Sequence, residues 1–211
     1  MHTYSHAWVL LYAFIYFPWF TYLERHVTDN YFVIHSIFDD YIPFCEYFII
    51  PYLLWFAYIA VTLGYLFFND KQGFYKASAI MFSGMTIFLI ICTVFPNGLN
   101  LRPEVFTRDF CIELVKRIYQ TDTPTNVLPS LHVYNSICCY IAISHCEKLQ
   151  HSRLIQKGSL VLSILIILST MFLKQHSVVD VVAACVMAYF MYSLIYAQEG
   201  AKSPRLARQV I

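Results

Sequence analysis

The chain has 211 residues, of which 59% are hydrophobic and 13% are charged, whereas an average soluble domain carries roughly 25% charged residues. A domain of this size cannot hide so much apolar surface from water, and the high hydrophobicity also excludes a solvated disordered chain. The net charge of +1 excludes a basic nucleic-acid-binding protein. The composition therefore predicts an integral membrane protein surrounded by a lipid bilayer.

Six apolar stretches reach or approach the length of about 20 residues that a membrane-spanning helix needs. They cover residues 7–23, 47–68, 77–95, 131–145, 159–173 and 178–197. The sequence has no internal repeat and no linker. We therefore expect residues 1–211 to form a single all-α domain, a bundle of six transmembrane helices.

Three of the connections between these spans have features of their own. Residues 24–46 form an acidic loop, and its apolar residues predict a short helix lying at the membrane interface. Residues 69–76 are expected to be a tight loop. Residues 174–177 form a very short connector between the last two spans.

The longest connection, 96–130, contains apolar residues at helical spacing between positions 105 and 119. A further helix is therefore predicted there, outside the membrane. Cys45 and Cys111 lie in loops that are expected on the same side of the membrane. A disulfide between them stays an open possibility, because connectivity cannot be read from a sequence.

Lysine and arginine are distributed unevenly between the two sides of the predicted bundle. The side that carries both termini holds eight Lys and Arg residues against three acidic residues, and the opposite side holds six against ten. An excess of Lys and Arg marks the cytoplasmic side of a membrane protein. We therefore predict that both termini are cytoplasmic and that 96–130 and 174–177 face the outside or a lumen.

Polar motifs lie at the outer edge of the apolar spans, where ionisable groups are costly and often functional. The first motif contains His176 and Asp180, which are four residues apart and so share one face of a helix. A carboxylate that accepts a hydrogen bond from an imidazole fixes its tautomer and makes the other ring nitrogen more basic. The pattern fits a histidine nucleophile or base, and it fits equally well a structural pair that caps the last helix.

The second motif lies at the start of the fourth span and contains Ser130, Leu131 and His132. Serine is a favourable N-cap residue, and the free N–H groups at a helix start bind anions. His132 lies in the first turn of this helix. The motif indicates an anion site beside a histidine, although an ordinary helix start with an interfacial histidine has the same sequence.

The third motif contains Arg102 and Pro103, just beyond the third span. An arginine can bind a phosphate through two parallel hydrogen bonds. It can also be a snorkelling residue at the level of the lipid headgroups. Lys174, two residues before His176, adds a second cation on the same side.

Together the motifs fit a site for phosphate esters. Cations and a helix N-terminus can hold the negative charge, a histidine backed by a carboxylate can act as nucleophile, and a second histidine can protonate the leaving group. The predicted depth suits a substrate that has its head in water and its tail in lipid. A metal site built from His132, His176 and Asp180 is less favoured, because Arg102 and Lys174 would repel a cation.

The order of these motifs resembles the type-2 phosphatidic acid phosphatase superfamily over about residues 77–197. The residues that carry the resemblance are Arg102-Pro103, then Pro129-Ser130-Leu131-His132, then Ser169 followed by His176 and Asp180. The superfamily also includes the inositol-phosphorylceramide synthase branch and, more remotely, the vanadium haloperoxidases.

The resemblance implies a role for each matching residue. His176 would form a phosphohistidine, Asp180 would orient it, and His132 would protonate the leaving alkoxide. The groups that would bind the phosphate oxygens are Arg102, Ser130 and the amide near Leu131. The resemblance implies no metal and no other cofactor.

The chain departs from the family pattern at three positions. Phe95 stands where a lysine usually precedes the arginine, Leu131 replaces a glycine, and Thr170 replaces an arginine. Two phosphate-binding cations are therefore missing, and Lys174 would restore one positive charge. Leu131 and Lys174 are more similar to the inositol-phosphorylceramide synthase branch, so both water and an alcohol stay open as acceptors.

The sequence thus predicts a metal-independent phosphatase that hydrolyses a lipid phosphate monoester or diphosphate at the outer face, with the plasma membrane as the expected location. The small size of the chain leaves little room for a second substrate and favours water as acceptor. A lipid headgroup phosphotransferase with the same residues is the first alternative, and a non-catalytic lipid-binding or transport protein is the second. The expected partners are a phosphorylated lipid and the bilayer, without nucleic acid.

Overall fold

The computed structural model describes residues 4–28, 30–104 and 109–196, and its regular structure is almost entirely helical. Within these residues, the α-helices in chain order are α1 (Ala13–His26), α2 (Ile37–Tyr41), α3 (Ile49–Asn69), α4 (Lys71–Val94), α5 (Phe110–Thr121), α6 (Leu131–His145), α7 (Arg153–Phe172) and α8 (Val178–Ile195). Short 3-10 helices, Ser5–Tyr12 and Glu46–Phe48, precede α1 and α3. Two-residue strands, β1 (Phe32–Val33) and β2 (Asn97–Gly98), pair in parallel.

Four helical segments among the described residues are long and apolar enough to cross a membrane. They are Glu46–Asn69, Lys71–Val94, Arg153–Phe172 and Val178–Ile195. The expected all-helical fold is confirmed, and these four segments fit an integral membrane protein.

The other two predicted spans are shorter or irregular. The first begins as a 3-10 helix and continues as α1, which contains Pro18. The fourth corresponds to α6, whose 15 residues extend roughly 22 Å at the rise of an α-helix, less than the ~30 Å of a bilayer core. The count of six spans therefore stays a prediction.

The predicted tight loop over 69–76 is wrong. A single residue, Asp70, separates α3 from α4, and its side chain accepts a hydrogen bond from the Gly73 N–H at 2.8 Å. Because Asp70 caps the helix, α4 can begin with the polar residues that follow it. A search for apolar stretches does not detect such a helix start. For the same reason α7 begins at Arg153, six residues before the predicted start, with Ser152 as its N-cap.

The predicted helices outside the spans are present. α2 lies in the acidic loop, and it exposes Ile37, Phe38 and Tyr41. α5 corresponds to the helix predicted over 105–119, of which residues 105–108 lie outside the described residues, as does residue 197 at the end of the sixth predicted span.

The possible disulfide between the two outer loops is absent. Cys45 and Cys111 are both free thiols. The loops that carry them belong to the same side of the bundle, because the 3-10 helix after Cys45 contacts α5. Being on one side is therefore not sufficient to bring the two sulfur atoms together.

α6 lies at the centre of the bundle, where it contacts α3, α4, α7 and α8. It approaches α4 closely because Gly84 has no side chain, and a Cβ atom there would overlap the ring of Tyr134. The hydroxyl of Tyr134 donates to the Ile80 carbonyl at 2.6 Å. This central position brings the start of α6 next to the start of α8, where the Ser130 N–H donates to the Asp180 carbonyl at 3.3 Å.

Candidate active site

The motif with Ser130 and His132 and the motif with His176 and Asp180 meet where the starts of α6 and α8 adjoin. The rings of His132 and His176 have their centroids 5.9 Å apart. Both side chains line the same cavity. The structure thus brings together two histidines that are 44 positions apart in the sequence.

His176 lies in the connector between α7 and α8, and the backbone on both sides fixes its position. The backbone N–H of His176 donates to the Thr170 carbonyl at 3.1 Å, and the next residue, Ser177, is the N-cap of α8. The carboxylate of Asp180 is fully buried and accepts from the Ser177 N–H at 2.9 Å. The same oxygen is 3.4 Å from Nδ1 of His176, so the predicted pair is present and Asp180 also completes the helix cap.

His132 is enclosed by aromatic residues of α3. Its ring stacks on Tyr52, with centroids 4.4 Å apart, and packs at a tilt against Trp55 at 4.2 Å. Its Nε2 is buried and has no hydrogen-bond partner in the described part of the chain. Tyr52 and Trp55 were not identified from the sequence, because they look like ordinary apolar residues of a span.

The start of α6 has the geometry expected of an anion site. Ser130 is the N-cap, and its hydroxyl oxygen accepts from the Val133 N–H at 3.4 Å. The N–H groups of Leu131 and His132 come next, where a helix offers no internal acceptor and where its dipole is positive. Leu131 and His132 line the cavity, whereas Ser130 is fully buried behind them.

The chain before α6 is held by Asn97, which sequence reasoning did not single out. Its Oδ1 accepts from the N–H groups of Val127 and Leu128, both at 2.9 Å, and its Nδ2 donates to the Phe95 carbonyl at 2.7 Å. Asn97 is fully buried. It therefore fixes the path of the chain that leads into Ser130.

Arg102 does not line the cavity, although its sequence motif suggested a phosphate ligand. Its guanidinium donates to the carbonyls of Tyr119 and Asp122 at the end of α5, at 3.0 and 2.7 Å, and lies over the ring of Tyr119. It also donates to the side chain of Gln175 at 2.5 Å. Burial lowers the pKa of Arg102, and the Asp122 carboxylate acts against that shift. Arg102 thus caps α5 and contacts two residues of the cavity wall, Asp122 and Gln175, without lining the cavity itself.

Lys174 likewise turns away from the cavity. Its Nζ donates to the backbone carbonyls of Asp39 and Ile42, at 2.7 and 2.5 Å. Its backbone has a positive φ of 53°, the left-handed region that non-glycine residues adopt only rarely. The structure therefore does not bring Lys174 to the two histidines.

Asp39 is a structural carboxylate that the sequence had assigned only to an acidic loop. It is 2% exposed. Its Oδ2 accepts from the Ser177 hydroxyl at 2.6 Å and the Ser36 N–H at 2.8 Å, and its Oδ1 accepts from the Val178 N–H at 2.8 Å. Asp39 therefore attaches the outer loop to the connector that carries His176.

The cavity beside the histidines has a volume of about 300 Å³. Aromatic side chains form much of its wall, and its polar residues include Glu24, Asp122 and Gln175. Sequence reasoning did not identify these three, because their contacts join segments that are far apart in the chain. An apolar cavity with a few convergent polar groups is the usual form of a ligand site.

The arrangement is suited to nucleophilic chemistry on an anionic ester. It offers a histidine with a carboxylate at one ring nitrogen, a second histidine at the same cavity, and a helix start that attracts negative charge. Among the described residues, no group of three or more His, Cys, Asp or Glu side chains has the geometry to hold a metal ion.

The comparisons with known proteins point to one family. The family model of the PAP2 superfamily matches residues 77–204, which cover more than half of the chain and include both histidines and Asp180. No curated protein and no solved structure shows a significant match to the chain. The family match and the motif order at the joined starts of α6 and α8 lead to one conclusion: this chain belongs to the PAP2 superfamily.

Proposed function

We propose that the protein is a membrane lipid phosphatase that hydrolyses a lipid phosphate monoester or diphosphate through a phosphohistidine, without a metal ion. Membership of the PAP2 superfamily supports the broader class, a phosphatase-like lipid phosphoesterase. The observation that carries the specific proposal is the meeting of His132 and His176 at one cavity, with the Asp180 carboxylate beside Nδ1 of His176.

In the first step, His176 attacks the phosphorus atom, and the bond between phosphorus and the lipid oxygen breaks. Because Nδ1 of His176 faces Asp180, Nε2 is the attacking nitrogen. His132 donates a proton to the leaving oxygen, and the Asp180 carboxylate stabilises the positive charge that develops on His176. In the second step, water gives a proton to His132 and attacks the phosphohistidine, which releases phosphate.

The hydrogen-bond donors that we propose for the phosphate lie at the start of α6, next to the positive end of the helix dipole. They are the N–H groups of Leu131 and His132. The hydroxyl of Ser130 is also proposed as a donor, and because Ser130 is fully buried outside the cavity lining, its direct contact with phosphate would require a shift of the helix start. Arg102 and Lys174 are proposed to support phosphate binding through their positive charge. Direct binding by either would require its side chain to exchange backbone carbonyls for phosphate oxygens.

The proposal includes six membrane spans, cytoplasmic termini and an active site on the outer face of the plasma membrane or the lumenal face of an internal one. The excess of Lys and Arg on the side of the termini supports this orientation. The packing of the segment 5–26 against α4 supports its place in the bundle as the first span.

Phosphotransfer to an alcohol is the second candidate. Two residues resemble the inositol-phosphorylceramide synthase branch. They are Leu131, between Ser130 and His132, and Lys174, two residues before His176. The histidines and Asp180 would act in the same way, and only the acceptor in the second step would differ.

The test measures phosphate release from a panel of lipid phosphates by the purified full-length protein in micelles, with a chelator and with and without alcohols. His176→Ala is expected to reduce turnover by about a thousandfold or more. The control is His151→Ala, an exposed histidine in the loop before α7, which keeps full activity. Both variants must elute and melt as the unaltered protein does.

The outcomes separate the hypotheses. Normal phosphate release by His176→Ala would refute the proposal. A new phospholipid with little free phosphate would favour transfer. Binding of lipid phosphates with no turnover of any ester would favour a non-catalytic protein.

A further inference from the structure

The cavity beside the two histidines has an acidic lining. Glu24, near the end of α1, and Asp122, directly after α5, both line it, and no lysine or arginine does so in residues 4–28, 30–104 and 109–196. Two carboxylates would repel a substrate whose only charge is that of phosphate. The lining therefore suits a substrate that carries positive charge as well.

The carboxylate of Glu24 is held in place by neutral groups. Its Oε2 accepts from the hydroxyl and the N–H of Thr123, at 2.5 and 3.4 Å, and its Oε1 accepts from Nδ2 of Asn126 at 2.9 Å. These bonds fix the position of the carboxylate and favour its charged form, which acts against the burial that raises the pKa of Glu24. A cation in the cavity would compensate that charge.

Asp122 is held in the same manner. Its Oδ2 accepts from the Tyr52 hydroxyl at 2.8 Å and from Nε2 of Gln175 at 3.3 Å. Arg102 bonds to the backbone carbonyl of Asp122 rather than to its carboxylate. Lys174 is directed to the carbonyls of the acidic loop. Neither Arg102 nor Lys174 therefore bonds to a carboxylate of the lining, although the charge of Arg102 lies close enough to Asp122 to interact with it.

Four buried polar atoms of residues that line the cavity have no hydrogen-bond partner within the described residues. They are Nε1 of Trp55, Oδ1 of Asn126, Nε2 of His132 and Nδ1 of His176. Asn126 is 5% exposed, and its positive φ of 55° belongs to a fixed turn. Because buried polar groups nearly always have partners, these atoms favour a ligand in the cavity. The oxygen of Asn126 belongs to the same amide that donates to Glu24, so it adds an acceptor beside that carboxylate.

Aromatic rings form the wall around these polar groups. Tyr16, Phe20, Trp55 and Phe88 all line the cavity. The face of an aromatic ring attracts ammonium groups, and most strongly when water is excluded. Carboxylates combined with aromatic faces favour an organic cation over a divalent metal ion, which would need several free oxygen ligands.

We infer that Glu24, Asp122 and the aromatic wall form a subsite for an ammonium group, so that the substrate is a lipid whose phosphate lies a few bonds from a positively charged nitrogen. The inference rests on the proposed function only for the position of the phosphate at the start of α6. A lipid phosphate monoester with an ammonium group two carbons from the ester oxygen has this chemistry, and phosphoethanolamine and phosphocholine are its water-soluble counterparts.

The first test compares two alkyl phosphate monoesters of equal length with the full-length protein in micelles. One carries a primary ammonium two carbons from the ester oxygen, and in the other this nitrogen is acetylated. We expect kcat/KM to favour the ammonium compound by about tenfold, and Glu24→Gln to remove most of this preference. The control is Glu113→Gln on the exposed side of α5, where the carboxylate pairs with Lys116, and it keeps the preference.

A merely structural role of Glu24 would lower turnover of both compounds and leave their ratio unchanged, so the ratio decides the matter. Equal kcat/KM values for the two compounds in the unaltered protein would overturn the inference. If Glu24→Gln does not fold, Asp122→Asn is measured in its place.

The second test does not need turnover. The thermal unfolding midpoint is measured with phosphoethanolamine, phosphocholine or glycerol phosphate, and we expect a larger rise with the two ammonium compounds that Glu24→Gln abolishes. If no lipid phosphate is hydrolysed but this difference is present, the proposed function fails and the ammonium subsite stands. Equal shifts for all three compounds, or a preference that appears only with added Mg²⁺, would overturn the inference.

Discussion

Asp39 offers a test of how the acidic loop 24–46 positions the connector that carries His176. Its carboxylate is buried and accepts three hydrogen bonds, from the hydroxyl of Ser177 and from the N–H groups of Ser36 and Val178. Asp39→Asn keeps the size of the side chain and removes its charge. The substitution therefore isolates what the carboxylate contributes to the connector that carries His176.

The expected magnitude follows from these three donors. If the new amide NH₂ takes the place of Oδ1, it faces the Val178 N–H, and if it takes the place of Oδ2, it faces the Ser36 N–H. Either orientation leaves a buried N–H without an acceptor, and the remaining bonds lose the strength that the charge gave them. We expect Asp39→Asn to lower the free energy of unfolding by about 2–4 kcal/mol.

The assay is reversible denaturant unfolding of the full-length protein in mixed micelles, together with phosphate release under native conditions. Asp40→Asn is the matched control, because Asp40 is the next residue and its exposed carboxylate contacts only His35 in the described structure. It should change the unfolding free energy by less than about 0.5 kcal/mol. A loss for Asp39→Asn as small as that of the control would refute the assigned role.

Two further predictions concern packing and the thiols. Gly84→Ala should destabilise the bundle by about 2 kcal/mol or more in the same unfolding assay, because the new Cβ atom would overlap the Tyr134 ring. Gly64→Ala is the control and should have no such cost, because there is open space around its new methyl group. Equal effects of the two substitutions would contradict the packing. Cys45 and Cys111 are free, so both should react with a thiol reagent in the unfolded protein without prior reduction, and protection of the pair until reductant is added would contradict the structure.

The parts of the site that follow from local helix geometry were predictable from the sequence. His176 and Asp180 are four residues apart, and this spacing was sufficient to predict their contact, although His176 lies in the connector just before the N-cap of α8 rather than on the helix. Ser130 is the N-cap of α6, and the helix begins at Leu131 as the apolar pattern indicated. Such features depend on neighbouring residues alone.

The orientation of the two cations could not be predicted, because their acceptors are distant in the chain. Lys174 bonds to carbonyls more than 130 positions before it, and Arg102 bonds to the end of α5. Both side chains are long and flexible, and a buried cation turns to the acceptors that tertiary packing provides. The same reason explains why Asp39 was counted only as one acid in a loop.

The acidic character of the cavity was also outside the reach of sequence reasoning. Glu24 lies near the end of α1 and Asp122 directly follows α5, and they meet at one cavity through contacts with Thr123 and Tyr52. The sequence placed cations near the histidines, whereas the structure has carboxylates in the lining. This difference changes the expected substrate from an ordinary lipid phosphate to one that carries a positive charge.

The most direct test of the central claim is to trap the covalent intermediate. The full-length protein is mixed with a lipid phosphate labelled in its phosphoryl group, quenched within one turnover under alkaline conditions that preserve phosphohistidine, and digested for mass spectrometry. The account predicts a phosphoryl group on His176 that forms before free phosphate appears and is absent from His176→Ala. Label on another residue, or phosphate release at full rate with His176 never labelled, would contradict it.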